Sequence, residues 1–185
     1  MPLFGRKKNK EYQEAAKLLS QGETDEAVQK LRDIIKIYPD DANSLTALGV
    51  ALIQSLGDDK TDSPTIDEAM VYFDRAVQSN PKDVVPLFNK GVCLRDIGRK
   101  QEALEVFDQV LQIKDRFPLA ILHKAEINYE LENYEEAVDL ARLALIRDPG
   151  LASSMTWVKD AMDKAGLLDE NGKPIEKPVR KPRMF

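Results

Sequence analysis

Few residues in this chain of 185 are equipped for catalysis, since it carries one histidine, His123, and one cysteine, Cys93. A nucleophile needs a base within hydrogen-bond reach, and a metal site needs several converging ligands. These two residues lie far apart, and the sequence has no glycine-rich phosphate loop. The sequence therefore predicts no catalytic residue, no metal site and no cofactor, and it indicates a protein that is not an enzyme.

The remaining chemistry-bearing residues have structural explanations. A single cysteine excludes an intramolecular disulfide and a cysteine-based zinc cluster, and the apolar run around Cys93 predicts a core thiol. The carboxylates recur at i, i+3 and i, i+4 spacings, which is typical of a solvated helix face. Function is therefore expected from surfaces, and these surfaces depend on the helices that carry them.

Those helices recur with a period of 34 residues, which is stretched by eight residues in one of the four copies. In four places a small residue is followed, twelve or twenty positions later, by the alanine of a Glu-Ala dipeptide: Ala15 with Ala27, Gly49 with Ala69, Gly91 with Ala103, and Ala125 with Ala137. A period of this length with helix–turn–helix content is a repeat signature. It predicts an all-α fold in which each unit contributes a first helix, A, and a second helix, B.

The predicted organisation has a basic tail, four units, a capping helix and a second tail. The boundaries are 1–7 for the first tail, 8–41, 42–83, 84–117 and 118–151 for the units, 152–166 for the cap and 167–185 for a flexible tail. A Gly/Asp/Ser/Pro cluster near 55–64 predicts an eight-residue insertion between the helices of unit two, which we interpret as a surface loop. A terminal helix with a wetter outer face is what a stack of repeats needs to cap its last unit.

Residues at the helix ends support these boundaries. Thr24 or Asp25 is predicted to cap the B helix of unit one, and Asp83 the A helix of unit three. Pro39 is predicted to stop the first of these helices, and Pro86 to lie in the first turn of the second.

The charge is unevenly distributed. The chain has a net charge of −5, yet residues 1–10 and 173–185 each carry +4. Asp169 and Glu170 contribute −2, which leaves −11 on residues 11–166. An acidic body argues against nucleic-acid binding. A peripheral membrane contact through residues 1–10, where Leu3 and Phe4 adjoin four cations, is the less favoured alternative to a solubilising terminus. No apolar run is long enough to span a membrane and no secretion signal is evident, so a cytoplasmic protein is expected.

The units resemble tetratricopeptide repeats (TPR) over about residues 8–166. The residues that carry the resemblance are Leu48-Gly49, Gly91, the four Glu-Ala alanines, Phe73, Phe107, Ala76, Ala144, Pro39, Pro81 and Pro149. Departures are Glu11 in unit one, Asp115 in place of the proline in unit three, and Asn128 in place of the aromatic residue in unit four. The resemblance implies antiparallel helix pairs in a right-handed superhelical solenoid, with the A helices lining a concave groove.

Repeat positions that face such a groove supply the candidate binding residues. They are Tyr12, Val50, Phe88, Asn89, Val92, Leu122, His123, Glu126 and Tyr129, with Trp157 from the cap. Val50, Phe88, Val92, Leu122 and Tyr129 are expected to form an exposed apolar lining, which usually marks an interaction site. The polar members can orient a peptide by hydrogen bonds, while the alternative is that the apolar side chains bury against neighbouring A helices.

One binding mode of the family can be tested against the sequence. Members that bind chaperone C-termini hold two carboxylates with a clamp of lysine, asparagine and arginine side chains. Only Asn89 fits its place, because Thr46, Val50, Leu119 and His123 stand where the other clamp residues belong. Without cations the carboxylates would lose their water without gaining partners. The sequence therefore predicts that the carboxylate clamp is absent.

The sequence thus predicts a protein–protein interaction adaptor or scaffold that binds a peptide segment of a partner in the groove. The alternative is a structural repeat protein that assembles into homo-oligomers. The identity of the partner is not encoded in any motif of the chain.

Overall fold

The helical periodicity of the sequence is realised as consecutive α-helices in a computed structural model, which describes residues 3–58, 60 and 64–175. The helices are α1 (Leu3–Gln21), α2 (Thr24–Ile37), α3 (Ala42–Ser55), α4 (Pro64–Ser79), α5 (Val85–Asp96), α6 (Lys100–Ile113), α7 (Pro118–Glu130), α8 (Tyr134–Arg147) and α9 (Val158–Lys164). A 3₁₀ helix, Pro149–Ser154, lies between α8 and α9. Helices α1, α3, α5 and α7 are the A helices, and helices α2, α4, α6 and α8 are the B helices.

Each A helix packs against the B helix that follows it, which gives four helix pairs. By its contacts the chain divides into Met1–Asp115, here called the N-terminal unit, and Arg116–Phe185, the C-terminal unit. Within the N-terminal unit successive pairs stack, because α3 contacts both α2 and α5, and α4 contacts α5. Within the C-terminal unit, α8 contacts α7, the 3₁₀ helix and α9. The predicted all-α architecture of paired helices is confirmed.

The small residues that define the repeat lie where the paired helices meet. The four Glu-Ala alanines (Ala27, Ala69, Ala103 and Ala137) are fully buried. A Cβ atom added to Gly49 would lie 2.9 Å from the ring of Phe73, and one added to Gly91 would lie 2.8 Å from the ring of Phe107. These separations are too short for real Cβ contacts, so each glycine allows a phenylalanine of the B helix to pack directly on the A-helix backbone.

The core of the N-terminal unit includes a continuous apolar cluster with members from α1 to α5. Its largest fully buried members come from α2, α3 and α4: Leu31, Ile34, Leu48, Ile66 and Phe73. An ion pair at the edge of this cluster joins the first two helix pairs, since Nη2 of Arg32 lies 3.0 Å from both carboxylate oxygens of Glu68. The burial of large side chains from successive repeats supplies most of the stabilisation, because partly exposed ion pairs contribute little.

Several predicted helix ends differ in the structure. The backbone of α1 is helical from Leu3, so the first helix extends into the predicted tail 1–7. Neither Thr24 nor Asp25 caps α2: the N-cap is Glu23, which makes no side-chain cap bond, and the Thr24 hydroxyl donates to the Gly22 carbonyl at 3.2 Å. Asp83 accepts a hydrogen bond from the Val85 amide at 3.0 Å, although the N-cap itself is Val84.

The predicted capping helix 152–166 is not continuous. Asp148 starts the 3₁₀ helix by accepting a hydrogen bond from the Gly150 amide at 2.9 Å, and Pro149 fixes its first position. The chain turns after Met155, whose side chain is buried, and α9 then begins at Val158. A proline, a glycine and two serines favour this short, tight turn over a regular α-helix.

The prediction of a flexible segment after Gly166 is wrong for residues 167–175. Leu168 and Pro174 form an antiparallel bridge, and Leu167 is buried against Val138 and Ala161. A carboxylate oxygen of Asp169 accepts hydrogen bonds from the Asn171 and Lys173 amides at 2.9 and 2.8 Å, which closes an Asx-type turn. The remainder of the predicted tail, 176–185, lies outside the described residues, as do 59 and 61–63 of the predicted insertion between α3 and α4.

Candidate functional site

Five of the ten candidate residues lie on the A helices of the N-terminal unit, where α1 contacts α3 and α3 contacts α5. Every one of them is half-buried, which places them between the core and the solvent. We call this surface the A-helix face; its members are Tyr12 of α1, Val50 of α3, and Phe88, Asn89 and Val92 of α5. Tyr12 and Val50 rest on the core cluster that contains Phe73, so these side chains are held firmly from beneath.

The α5 members have defined contacts. The ring centroids of Phe88 and Phe107 lie 5.9 Å apart at an interplanar angle of 53°. This tilted arrangement is electrostatically favourable for the quadrupoles of the two rings. The side-chain amide of Asn89 donates to the Val85 carbonyl at 2.8 Å. This hydrogen bond holds the Asn89 side chain along α5 and leaves its amide oxygen available as an acceptor. The A-helix face thus combines rigid apolar groups with one oriented amide.

Leu122 does not have the exposure that the groove prediction requires. Its side chain is 4% exposed, so the expectation that it forms part of an exposed lining is wrong. Repeat position alone could not reveal this burial, because helix α7 is bulky and apolar on both sides, with Ile121 and Ile127 also buried. Leu122 is therefore a buried residue of α7.

His123 and Glu126 lie one turn apart on α7 and contact each other. Nδ1 of His123 is 3.0 Å from a carboxylate oxygen of Glu126, and each side chain keeps about a fifth of its surface exposed. A carboxylate beside an imidazole fixes the orientation of the ring. The pair is therefore a preoriented polar contact at the surface of the C-terminal unit.

Tyr129 and Trp157 meet in an aromatic cluster that ties α9 to α7. Their ring centroids are 5.0 Å apart, and the Tyr129 hydroxyl donates to the Asp160 carboxylate at 2.6 Å. This hydrogen bond raises the pKa of Tyr129 and is the main reason that the pKa of Asp160 is lowered. Both shifts favour the state in which the tyrosine is protonated and the aspartate charged.

Two further members of this cluster, Lys164 and Tyr134, were not among the predicted site residues. The Lys164 ammonium lies 2.9 Å from Asp160, and 5.4 and 5.2 Å from the ring centroids of Tyr129 and Tyr134. Its pKa is raised, first by the hydrogen bond to Asp160. The i, i+4 spacing of Asp160 and Lys164 was a visible signal, whereas the stacking over two tyrosines required the fold.

Cys93, the single cysteine of the chain, is buried in the core of the N-terminal unit. Burial raises the pKa of the Cys93 thiol to about 12, so the thiolate is scarce at neutral pH. Over residues 3–58, 60 and 64–175, no three His, Cys, Asp or Glu side chains are grouped as they would be around a metal ion. Among the helices that the structure describes, none is long and apolar enough to cross a membrane.

The Thr46 position also bears on the carboxylate clamp. Its side chain is buried, and the hydroxyl donates to the Ala42 carbonyl at 2.7 Å. The side chain is therefore committed to its own helix.

Stacked helix pairs with buried small residues and half-buried A-helix side chains define a helical-repeat protein. Comparison with known proteins identifies the repeat. The family described as "Tetratricopeptide repeat" matches residues 6–41, and that described as "Anaphase-promoting complex, cyclosome, subunit 3" matches residues 62–142. These matches assign the chain to the tetratricopeptide repeat family.

Two solved structures share the fold over most of the chain. A thermophilic TPR protein of Thermus thermophilus superimposes with a TM-score of 0.70 at 19% identity, covering 82% of this chain and 79% of that one. The pilF protein of Pseudomonas aeruginosa gives a TM-score of 0.72 at 18% identity, covering 86% and 69%. These likenesses confirm the predicted TPR-like fold class.

A curated relative is similar in sequence over a shorter length. The Hsp70-Hsp90 organizing protein of Triticum aestivum is 23% identical over 97 residues, which is 52% of this chain and 17% of the relative. The chain spans less than a fifth of the length of the curated relatives that it matches. The similarity therefore concerns a repeat region within a larger protein.

Proposed function

We propose that this TPR protein is a non-enzymatic scaffold of the cytoplasm that binds a segment of a partner protein on the A-helix face of its N-terminal unit. The observation that carries the proposal is the shared partial exposure of Tyr12, Val50, Phe88, Asn89 and Val92 on three contacting helices. Aromatic and aliphatic groups that are rigid before binding lose little entropy when a partner covers them. The partner is expected to present apolar side chains to this face.

The direction of the partner chain is proposed to depend on Asn89. Its Nδ2 is engaged with the Val85 carbonyl, and its oxygen is an acceptor for a backbone amide of the partner. A single oriented amide next to apolar side chains fixes the position of the partner chain along the A-helix face, and no charged group is required.

The partner is proposed to bind without a carboxylate clamp. The name of the wheat relative describes a protein that organizes Hsp70 and Hsp90, which supports a protein-binding role for the shared repeats. In this chain only Asn89 matches the clamp, and Thr46, Val50, Leu119 and His123 occupy its other positions in the sequence. Thr46 is buried and bonded to its own helix, so it offers no charge to a terminal carboxylate.

Candidates in the C-terminal unit are proposed as a second contact. Tyr129 and Trp157 remain partly exposed and form a rigid stacked pair, and His123 with Glu126 offers a polar contact. Leu122 is left out because it is buried. The acidic body makes a protein partner preferable to a nucleic acid.

The proposal is tested by substituting Val92 with glutamate and comparing the variant with a matched control. Ile113→Glu introduces the same charge on a B helix, at a side chain that is 45% exposed. Affinity capture from a lysate of the source organism, quantified by mass spectrometry, should lose specific partners with Val92→Glu and keep them with Ile113→Glu. Circular dichroism must show equal helix content for both variants.

Equal capture by both variants would contradict binding on the A-helix face. A partner recovered with the wild type is then cross-linked from a photoreactive residue at position 88, which should label the partner directly. If the partner is labelled only when the photoreactive residue is placed on a B helix, the contact lies outside the A-helix face.

Self-assembly is the second candidate function, and it rests on exposed apolar residues outside the A-helix face. Ile37 of α2 is 61% exposed and Val71 of α4 is 56% exposed. Exposed aliphatic groups on B helices can be covered by another copy of the chain. Sedimentation velocity from low to high concentration should show growing mass for the wild type and a monomer for Val71→Glu, whereas a wild-type monomer at all concentrations rejects assembly.

A further inference from the structure

An apolar depression flanked by arginines lies at one end of the α7–α8 pair, in the C-terminal unit. It has a volume of about 510 Å³ and is lined by Arg116, Pro118, Leu143, Ile146 and Arg147. We call it the α7–α8 end patch. All five lining residues belong to the C-terminal unit, and none belongs to the A-helix face proposed above.

The floor of the patch is aliphatic. Ile146 is 77% exposed, more than any other large hydrophobic residue among those that the structure describes, and Leu143 beside it on α8 is half-buried. An isoleucine at this exposure contributes almost nothing to the folded core, since its surface stays in water. Together with Leu143 and Pro118 it forms an aliphatic surface that another apolar side chain can cover.

The rim of the patch is positively charged on a chain whose net charge is −5. Within the described part of the chain, Arg116 and Arg147 have no ion-pair partner, whereas the neighbouring Arg142 lies 3.7 Å from Asp139. A guanidinium presents paired N–H donors that match the two oxygens of a carboxylate. Two unpaired guanidinium groups beside an aliphatic floor therefore suit a ligand that has both carboxylate and aliphatic groups.

We propose that the α7–α8 end patch binds an acidic protein segment in which an aliphatic side chain is flanked by aspartate or glutamate. The aliphatic side chain lies on Ile146 and Leu143, and the flanking carboxylates pair with Arg116 and Arg147. Charge complementarity selects this occupant, because a basic segment would meet two uncompensated guanidinium groups and a purely apolar one would leave both unused. This surface would give the scaffold a further binding site, independent of the A-helix face and of the contact at Tyr129 and Trp157.

The test uses two fluorescein-labelled peptides of six residues and equal charge, one alternating glutamate with leucine and one alternating glutamate with serine. Fluorescence anisotropy with the full-length protein should show binding of the leucine peptide that weakens as salt rises from 50 to 500 mM, in the manner of screened charge pairs. The serine peptide should bind at least ten times more weakly.

Two substitutions and one control locate the binding. Ile146→Asp and Arg147→Glu should each weaken binding of the leucine peptide by tenfold or more. The control Ile113→Asp makes the same change at an isoleucine that is 45% exposed on α6, and it should leave binding unchanged. Each substituted side chain is exposed, so all three variants should unfold at the temperature of the wild type.

The proposal is overturned if the leucine peptide binds Ile146→Asp as tightly as it binds the wild type, or if the serine peptide binds equally well. Sedimentation velocity decides between a peptide and a second copy as the occupant. Wild-type self-association that Ile146→Asp abolishes would assign the patch to a contact between copies and reject the acidic segment. Because these readouts do not involve Val92, their failure is distinguishable from failure of the A-helix proposal.

Discussion

At the residue scale, the packing of the repeat depends on one pair of positions, a small residue in the A helix and its partner in the B helix. Glycine pairs with phenylalanine in Gly49–Phe73 and Gly91–Phe107. The equivalent positions of the first and last units hold Ala15 with Leu31 and Ala125 with Ala141, all fully buried. As the A-helix residue grows, the B-helix residue shrinks, which is how a close-packed interior accommodates both.

Gly91→Ala should therefore destabilise the protein even though alanine is the better helix former. The new Cβ would lie 2.8 Å from Phe107, and overpacking costs about 1–3 kcal/mol, against a gain of about 1 kcal/mol in helix propensity. Urea unfolding measures the change. In a Phe107→Leu background, which reproduces the combination of the first unit, Gly91→Ala should become neutral or stabilising.

A double-mutant cycle makes this prediction quantitative. The coupling between Gly91→Ala and Phe107→Leu should be favourable by about 1 kcal/mol or more. Strictly additive effects of the two substitutions would show that the glycine serves another purpose than admitting the ring.

Cys93 allows a prediction about pH. Its folded pKa is raised to about 12 by burial, while an unfolded thiol titrates near 8.5. Between these values the unfolded chain releases a proton that the folded chain retains, so stability falls as pH rises through that window, by at most about 1.4 kcal/mol per pH unit. Comparison of the wild type with Cys93→Ala by urea unfolding between pH 8 and 10.5 should show the steeper loss only in the wild type.

Thiol reactivity provides an independent check of the same burial. Ellman's reagent should label Cys93 at the rate of unfolding or local opening, and not at the rate of a free thiol. Rapid labelling of the folded protein, or parallel pH slopes for wild type and Cys93→Ala, would contradict the assignment of Cys93 to the core.

The sequence predicts the role of a residue when that role depends on repeat spacing and side-chain size, and it fails when the role depends on contacts between helices. The Glu-Ala alanines and the two glycines were predicted correctly, because period and residue size are both visible in the sequence. Leu122 was not, because a helix that is apolar on several sides does not reveal which side faces water. The Lys164 contact with two tyrosines was also missed, since it joins residues from different helices.

At the element scale, the turn between paired helices needs one residue with positive φ. Gly22 and Gly98 provide it in the first and third units, with φ values of 79° and 82°. In the last unit the equivalent position is Glu132, with φ at 64°. A residue with a Cβ pays steric strain in this region that glycine does not.

Glu132→Gly should consequently leave stability unchanged or raise it by about 1 kcal/mol, because relief of strain exceeds the entropy that glycine adds to the unfolded chain. The matched control is Gly98→Ala, which forces a Cβ into the same conformation and should lower stability by about 1 kcal/mol. Thermal unfolding followed by circular dichroism measures both. A clear loss of stability in Glu132→Gly would indicate that the glutamate side chain is needed.

The C-terminal elements show why segment boundaries were harder to predict than the repeat. The predicted capping helix 152–166 and tail 167–185 were inferred from composition, and composition does not register single hydrogen bonds. In the structure Asp148 starts the 3₁₀ helix, and Asp169 closes the turn that brings Leu167 into the apolar cluster. Prolines and charges thus marked breaks correctly, but a flexible end was assigned where local side-chain bonds order residues 167–175.

At the scale of the whole molecule, stability in a repeat protein is approximately the sum of repeat terms and neighbour terms. The N-terminal unit contains a continuous core from α1 through α5, closed by the α5–α6 pair. The chain from 1 to 115 should therefore fold without the remainder. The single tryptophan, Trp157, lies beyond it, so the intrinsic tryptophan signal of the full-length protein reports on the C-terminal unit alone.

Residues 1–115 produced alone should give a helical circular dichroism spectrum and a cooperative urea transition. Phe73→Ala within this fragment should cost about 3–5 kcal/mol, because it removes a fully buried ring that packs on Gly49. In the full-length protein the same substitution should shift the circular dichroism transition while Trp157 fluorescence changes less. A fragment without a cooperative transition, or coincident shifts of both signals in the full-length variant, would show that the two units unfold as one, since their stabilities would then not be separable.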